Sequence, residues 1–231
     1  MSKKWDIQLP LDYKITDDYY IIDGIKYHRV TRVKSIMNND GLNKWRSKIG
    51  DVEADKIMKE RQRIGTDTHK MIELTLDKSY VDLDLYNDEV KQNMYLINEL
   101  RETCCLEPES LEQKLWSTQY RIAGTADYIG RYRTYPRYLK RKRIPKFNHN
   151  SQVVIDWKTS TQIYDDYWIQ LSAYVKMFED LTGIKVDGAV IVQFRNNKIK
   201  VEEKTYDELK RYFSLMLNCL ELYRYKKGEK I

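Results

Sequence analysis

The stretch Val153-Val-Ile-Asp-Trp-Lys-Thr-Ser160 sets the fold class of this sequence. Three β-branched apolar residues are followed directly by a carboxylate, and so short an apolar run is typical of a strand buried within a sheet. Side chains two residues apart on a strand share a face, so Asp156 and Lys158 are expected to project together while Trp157 points the other way. From this stretch alone, a plain ion pair at a strand end and a chemically active pair of charges are equally good interpretations.

Patterns on either side of this strand alternate between strand and helix. Strand-like segments occupy about 122–131, 153–157, 186–195 and 198–203. Helical apolar spacing is found at about 51–76, 88–101, 165–181 and 206–225. We expect Gly65 to divide the first of these helices and Gly183 to end the third. This order predicts an α/β architecture, a mixed β-sheet flanked by helices.

The remaining local signals are turns and a short N-terminal helix. A hairpin is predicted over 19–27 with its turn at Asp23-Gly24, and a second hairpin turn at Asn196-Asn197. Thr31 is placed to cap a short helix that runs to about Met37. We expect a single domain with three parts, which are an N-terminal helical elaboration (1–60), a core (61–205) and a C-terminal helix (206–231).

Composition places the chain among globular proteins. Hydrophobic residues make up 42% and charged residues 33%, and no apolar run approaches the roughly 20 residues needed to cross a bilayer. The N-terminus lacks the apolar stretch of a secretory signal. The three cysteines, Cys104, Cys105 and Cys219, supply neither a disulfide framework nor four thiolates for zinc or an iron–sulfur cluster. A cytoplasmic protein without membrane attachment is therefore expected.

A second stretch, Gly124-Thr-Ala-Asp-Tyr-Ile-Gly130, places one acid in a strand-like segment. Taken alone, Asp127 suits a turn or a surface position. If its strand pairs with the strand of Asp156, however, two carboxylates meet in a partly buried site, which is costly unless a cation neutralises them. Oxygen ligands are those that Mg²⁺ prefers.

Two helices carry further polar pairs one turn apart. His69 and Glu73 share a face of the predicted helix, as do Gln170 and Tyr174 on another. A lone helical histidine is more often a surface or core residue than a ligand. Each pair is therefore a weak signal by itself.

Taken in order, these motifs form a longer pattern. Gly-x-x-x-His-x-x-x-Glu is followed by Gly-x-x-Asp, Asp-x-Lys-Thr and Gln-x-x-x-Tyr. Over about residues 65–175 the ordered set resembles the RecB-like branch of the PD-(D/E)xK nuclease superfamily. The upstream stretches Arg29-Val-Thr-Arg-Val33 and Gly41-Leu-Asn-Lys-Trp45 resemble the N-terminal region of phage exonucleases and of the mitochondrial genome maintenance exonuclease. Iron–sulfur members of the family need four cysteines, so no such cluster is expected here.

The resemblance implies a restriction-endonuclease-like core that hydrolyses DNA phosphodiester bonds. The implied ligands of Mg²⁺ or Mn²⁺ are His69, Asp127, Asp156 and the backbone carbonyl of Trp157. Lys158 would orient or activate the attacking water, and Glu73 would lie close by or bind a second cation. The implied role of Gln170 and Tyr174 is to brace the site or to contact the DNA backbone. Implied partners are a recombinase, a helicase or a single-strand-binding protein, and a phage-encoded member would act in the host cytoplasm.

The basic charge of the chain is concentrated in one segment. Between Arg131 and His149 there are eight Lys or Arg and no Asp or Glu, which exceeds the net charge of +6 of the whole chain. Four rings are interleaved with these cations, namely Tyr132, Tyr135, Tyr138 and Phe147. The mixture suits phosphate contacts and base stacking, with a solvated loop as the alternative. The predicted DNA-binding residues of this basic insert are Arg131, Arg133, Arg137, Lys140, Arg141, Lys142 and Arg143.

Three functions stay open at this point. An exonuclease acting on DNA ends or single strands is the first expectation, and the basic insert predicts a DNA path between the strands of Asp127 and Asp156. A structure-specific endonuclease would use the same metal site. A catalytically inactive DNA-binding module on the same fold is the third alternative, against which the acids and Lys158 argue.

Overall fold

The computed structural model describes Trp5, Ile7, Pro10 and residues 12–37, 40–135 and 145–229. Within these residues one sheet contains eight strands. They are β1 (Tyr13–Ile15), β2 (Tyr19–Ile22), β3 (Ile25–Arg29), β4 (Glu107–Ser117), β5 (Ile122–Arg131), β6 (Gln152–Lys158), β7 (Gly188–Arg195) and β8 (Lys198–Thr205). The α-helices are α1 (Val30–Lys34), α2 (Asp40–Ile49), α3 (Asp51–Leu76), α4 (Asp88–Thr103), α5 (Asp165–Thr182) and α6 (Tyr206–Lys226).

The sheet is mixed and helices cover both of its faces, which confirms the predicted fold class. The strand order is β1-β2-β3-β5-β6-β7-β8, and β4 pairs with the other edge of β5. β3 runs parallel to β5 and β6 parallel to β7. Residues 152–157 of β6 are buried, as a short apolar run in the middle of a sheet requires.

Side chains of β6 alternate between two apolar cores. Ile155 and Trp157 pack in the core formed with α3 and α4, whereas Val154 packs in the core formed with α5 and α6. The period of two therefore places Asp156 and Lys158 on the α5 side of the sheet. Most of α5 is buried, so this helix can supply side chains directly beneath Asp156.

The sheet forks along one edge of β5. Residues 128–131 of β5 pair with β6, and residues 122–123 pair with β3. Between these two ladders, residues 124–127 have no strand partner on that edge among the described strands. Asp127 lies at the point where β6 leaves β5, so the fork itself brings this residue to the candidate site.

The predicted turns and one helix end are confirmed. Asp23 and Gly24 both have positive φ, as do Asn196 and Asn197. Two-residue turns with positive φ at both positions are those that fit the right-handed twist of the two strands they connect. Gly183 adopts the left-handed conformation at the end of α5, with φ of 70°.

Two local predictions are wrong. Gly65 does not divide a helix, because α3 is continuous over Asp51–Leu76. A single glycine costs a helix only about 1 kcal/mol, which a helix of this length tolerates. Thr31 does not cap α1, which begins at Val30 after Arg29 and has no side-chain cap.

Two segments contribute more strand than the sequence patterns indicated. The predicted hairpin over 19–27 forms β2 and β3, and beyond it β1 pairs with β2 and β3 pairs with β5, so the N-terminal residues extend the sheet. β4 covers Glu107–Ser117 and pairs with β5 along most of its length, and it lies outside the segments that the sequence patterns marked as strand. Among the described helices, none has the length and apolar character needed to cross a membrane.

Candidate metal centre

The fork places two carboxylates side by side. Tyr128 pairs with Ile155 in the β5–β6 ladder, so Asp127 and Asp156 are the next residues along it. Beyond the Tyr128–Ile155 pair the backbone hydrogen bonds between the two strands end. The backbone N–H of Trp157 instead donates to the side chain of Asp127, at Oδ2 and 2.9 Å. The expected meeting of the two acidic strands is therefore confirmed.

Asp156 and Lys158 share a face, as alternation along the strand predicts. Lys158 Nζ lies 2.5 Å from Asp156 Oδ2, and Trp157 packs in the opposite core. Asp156 is only 1% exposed. Burial raises the pKa of Asp156 more than Lys158 lowers it. The carboxylates of Asp156 and Asp127 outweigh burial and raise the pKa of Lys158, which is therefore protonated.

His69 reaches the same point from the opposite face of the sheet. Its Nε2 lies 2.9 Å from the carbonyl oxygen of Trp157, and its Nδ1 lies 3.4 Å from Asp127 Oδ2. Both partners are acceptors, so this arrangement suits the protonated imidazole, and a cation bound through either nitrogen would have to displace the hydrogen of that nitrogen. Burial opposes protonation, but Asp127 outweighs it and raises the pKa of His69 to about 9. The pKa of Asp127 is correspondingly held below its usual value, because His69 and Lys158 outweigh its burial.

Gln170 and Tyr174 lie beneath the acids on α5. Gln170 Nε2 is 3.3 Å from Asp156 Oδ1 and 3.0 Å from the Tyr174 hydroxyl, so it donates to both oxygens. Both side chains are buried. This arrangement fits the bracing role expected for the pair and leaves them little surface for contact with a DNA backbone.

Glu112 is a neighbour of the site that sequence reasoning missed. It lies on β4 opposite Asp127, between the paired positions Leu111–Tyr128 and Gln113–Ala126. Ligand atoms of His69, Glu112 and Asp127 all lie within 4.8 Å of one another. Burial, and then the charge of Asp127, raise the pKa of Glu112 to about 7. Only the β4–β5 register shows that Glu112 belongs here, and no motif in the sequence marks it.

Glu73 lies outside this group of ligand atoms. It follows His69 by one turn of α3, and its carboxylate pairs with Lys70 Nζ at 2.8 Å. Its charge is near enough to Glu112 to contribute to the raised pKa of that residue. The structure thus brings Glu73 to the border of the site and Glu112 into it.

A cavity of about 210 Å³ opens at the fork. The two acids, His69 and Lys158 line one part of it, and Arg29, Thr31 and Thr125 line another. Arg29 Nε is buried and has no hydrogen-bond partner among the described residues. The cavity therefore combines a carboxylate-rich part with a cationic part, which suits a phosphate group held beside a metal ion.

The donor set fits a divalent cation. Asp156 is buried, and its Oδ2 pairs with the Lys158 ammonium at 2.5 Å. One ammonium beside two buried carboxylates leaves negative charge that a divalent cation would neutralise. His69, Asp127, Asp156 and the Trp157 carbonyl could all serve as ligands with small side-chain adjustments.

The described part of the basic insert corrects the expectation that the rings of Tyr132 and Phe147 are available to stack on bases. Tyr132 and Phe147 are buried in the core with α3 and α4, so they cannot stack on bases. Arg131 donates to the carbonyl of Asn150, and Arg133 to that of Thr103 at 3.2 Å. The other predicted DNA-binding cations, Arg137, Lys140, Arg141, Lys142 and Arg143, lie outside the described residues.

The insert also leaves the sheet away from the cavity. Arg131 ends β5 four residues beyond Asp127, about 13 Å along the strand. None of its described residues lines the cavity. The described stem of the insert therefore lies apart from the cavity at the fork, which Gly124 and Arg29 line.

Comparisons with known proteins show only distant likeness. No protein-family model and no curated protein matches the chain. A crystal structure of the protein SSO0001 is 15% identical, covers 84% of this chain and 73% of its own, and has a TM-score of 0.39. A protein from Eubacterium rectale, provisionally named an exonuclease, is 13% identical, covers 89% and 83%, and has a TM-score of 0.47. At such scores function has to be argued from the side chains.

Proposed function

We propose that this chain is a metal-dependent nuclease that hydrolyses DNA phosphodiester bonds. The observation that carries the proposal is the arrangement of Asp127, Asp156 and Lys158 at the fork, where two carboxylates lie side by side and the Lys158 ammonium lies 2.5 Å from the buried Asp156 Oδ2. Mg²⁺ or Mn²⁺ bound by His69, the two acids and the Trp157 carbonyl would lower the pKa of a water and stabilise charge on phosphate oxygens.

The protein side chains have separable tasks in this reaction. Lys158 lies beside Asp156, where its ammonium would orient the attacking water and stabilise developing negative charge. Gln170 fixes Asp156 from below, and the Trp157 N–H fixes Asp127. These contacts hold both carboxylates in place before substrate arrives, which reduces reorganisation during the reaction.

The resemblance of the ordered motifs to exonucleases favours an exonuclease over an endonuclease. Gln170 and Tyr174 line the cavity together with Arg29 and Thr31, and its volume is about 210 Å³. Arg29 is a cation that would attract a phosphate bound there.

A cleavage assay tests the proposal. Labelled linear DNAs, single- and double-stranded, are incubated with Mg²⁺ or Mn²⁺ and compared with a covalently closed circle and with samples containing EDTA. We expect degradation of a linear substrate only with metal, and survival of the circle. Efficient cutting of the circle would support the structure-specific endonuclease, and binding without any cleavage would support the inactive module.

Variants separate catalysis from binding. Lys158→Met should reduce cleavage by about 100- to 1,000-fold while DNA affinity, measured by fluorescence anisotropy in Ca²⁺, changes little. Lys176→Met is the matched control, since this lysine lies on α5 and pairs with Asp180 at 2.7 Å. Normal cleavage by Lys158→Met would refute the assignment of the site.

A further inference from the structure

We propose that the exposed ring of Tyr164 binds the substrate by stacking on an unpaired base, and that this contact gives the site a preference for single-stranded DNA. The inference rests on the proposed nuclease function and deepens it, because it names the form of DNA that reaches Lys158. It also assigns base stacking to a ring beside the candidate site, after the rings of Tyr132 and Phe147 were found buried.

Tyr164 ends the loop that follows the strand of Lys158. β6 ends at Lys158 and α5 begins at Asp165, so residues 159–164 connect two elements that both carry side chains of the site. β6 runs parallel to β7, and the carboxyl ends of parallel strands are where open α/β sheets bind their ligands. A DNA strand with one phosphate beside Lys158 would therefore pass close to this loop.

Two aromatic rings lead from the Lys158 ammonium to the surface. The ring centroid of Tyr167 lies 4.9 Å from Lys158 Nζ, and the ring of Tyr164 meets that of Tyr167 edge to face, with centroids 5.6 Å apart. A stacked strand rises about 3.4 Å per nucleotide. A base on Tyr164 would thus belong to a nucleotide at most about three steps from a phosphate at Lys158.

Tyr164 is the outward-facing ring of its segment. Ile163 and Tyr167 pack against the core formed with α5 and α6, whereas Tyr164 is 39% exposed. Its hydroxyl lies 3.1 Å from Thr161 Oγ1, within the same loop. Single exposed rings are common on protein surfaces, and the position beside the Tyr167–Lys158 contact distinguishes this one. Its exposed surface is available to a ligand.

Hydrogen bonds to neighbouring elements hold the loop in place. Arg61 donates from α3 to the carbonyl of Thr159 at 2.8 Å. Gln193 donates from β7 to the carbonyl of Ser160 at 2.7 Å. The loop is therefore tied to a helix on one side and to the sheet on the other. A ring that is already positioned loses little conformational freedom on binding, so more of the stacking energy contributes to affinity.

The charges around the ring favour a base over a phosphate at this position. Asp165 and Asp166 follow Tyr164 in the first turn of α5. Asp166 is paired with Lys34 at 2.9 Å, whereas Asp165 is an exposed acid that would repel a phosphate but not an uncharged base. A duplex keeps its bases paired and stacked, so a single strand is the form of DNA that can present a base to Tyr164.

Binding without cleavage tests the inference. Fluorescence anisotropy in Ca²⁺ measures the affinity for a single-stranded oligonucleotide and for a duplex of the same sequence. We expect Tyr164→Leu to weaken single-strand binding roughly 5- to 100-fold, with little change for the duplex. The slope of log affinity against log salt should stay at the wild-type value, because no phosphate contact is lost. Tyr164→Phe keeps the ring and should bind as the wild type does.

A matched control comes from a more exposed tyrosine elsewhere. Tyr95 lies on α4 and is 60% exposed, and Tyr95→Leu should bind both DNAs as the wild type does. A single strand labelled with 2-aminopurine reports stacking directly, since its fluorescence should fall on binding to the wild type and fall less on binding to Tyr164→Leu. If Tyr164→Leu does not fold, as judged by thermal melting, Tyr164→Gln replaces it.

Several outcomes would overturn the inference. Unchanged single-strand affinity in Tyr164→Leu would do so, as would equal losses for single strand and duplex, or a loss in Tyr164→Phe as large as that in Tyr164→Leu. A wild type that binds duplex more tightly than single strand would also do so. Failure of the proposed function looks different, because the wild type would then bind DNA but cleave none of it with Mg²⁺ or Mn²⁺.

Discussion

Gly124 and Tyr174 lie so close together that a Cβ at position 124 would be 2.5 Å from Cε1 of the tyrosine ring. The glycine belongs to the stretch of β5 that pairs with β4 but has no strand partner on its other edge among the described strands, and the tyrosine lies beneath it on α5. The tyrosine hydroxyl receives a hydrogen bond from Gln170, which also holds Asp156. The absence of a side chain at residue 124 leaves room for the Tyr174 ring. Through Tyr174 and Gln170 it therefore affects the position of Asp156.

Gly124→Ala should disturb the site through this chain of contacts. The added methyl group displaces the Tyr174 ring and costs about 1–3 kcal/mol of stability, a typical figure for overpacking. Cleavage should fall at least tenfold as Gln170 loses its support. Urea unfolding and cleavage rates measure the two effects. Gly41→Ala is the control, because no atom lies within 4 Å of a Cβ there; an equally mild effect at both positions would contradict the packing argument.

Tyr167 is predicted to position Lys158. Its ring centroid lies 4.9 Å from Lys158 Nζ and 4.7 Å from Lys34 Nζ, and such cation–π contacts contribute about 0.5–2 kcal/mol. Tyr167→Leu should therefore lower kcat by roughly 2- to 30-fold with little change in KM. Tyr167→Phe keeps the ring and should retain most of the activity. Equal losses in the two variants would show that the hydroxyl, and not the ring, matters.

The metal-free protein should lose stability as Glu112 ionises. Burial and Asp127 raise the pKa of Glu112 to about 7 from the usual 4.5, so the folded state holds this proton more tightly than the unfolded state. The resulting stabilisation is complete below about pH 4.5 and is lost as pH rises through about 7. In chelating buffer, the melting temperature of Glu112→Gln relative to wild type should therefore rise from pH 5 to pH 8. A melting-temperature difference between the two proteins that does not change with pH would refute the raised pKa of Glu112.

Sequence reasoning reached as far as periodicity and motif order allow. Alternation along 153–158 correctly placed Asp156 and Lys158 on one face, and the apolar run correctly indicated a buried strand. Position 112 could not be found, because its relation to Asp127 depends on a ladder between strands and on a positive φ. The prediction that the rings of Tyr132 and Phe147 stack on bases was wrong, because composition does not show which side chains of a segment are buried.

The basic insert should increase DNA affinity through phosphate contacts alone. Replacing five of its cations by serine should weaken DNA binding and reduce the dependence of affinity on salt. These cations are Arg137, Lys140, Arg141, Lys142 and Arg143. Each lost phosphate contact lowers the slope of log affinity against log salt by about 0.7 for single strands. Anisotropy titrations between low and moderate salt measure this slope. An unchanged slope would leave the insert without a role in binding.

Tyr132→Phe provides the matching test of the rings. The Tyr132 hydroxyl donates to Glu203 Oε1 at 2.7 Å, and Glu203 Oε2 has no hydrogen-bond partner among the described residues. Removing the hydroxyl leaves a buried carboxylate short of a donor, which should cost about 1–3 kcal/mol of stability. DNA affinity and its salt slope should stay at the wild-type values, because the ring faces the core with α3 and α4. Weaker DNA binding by a stably folded Tyr132→Phe would show that this part of the insert reaches the nucleic acid after all.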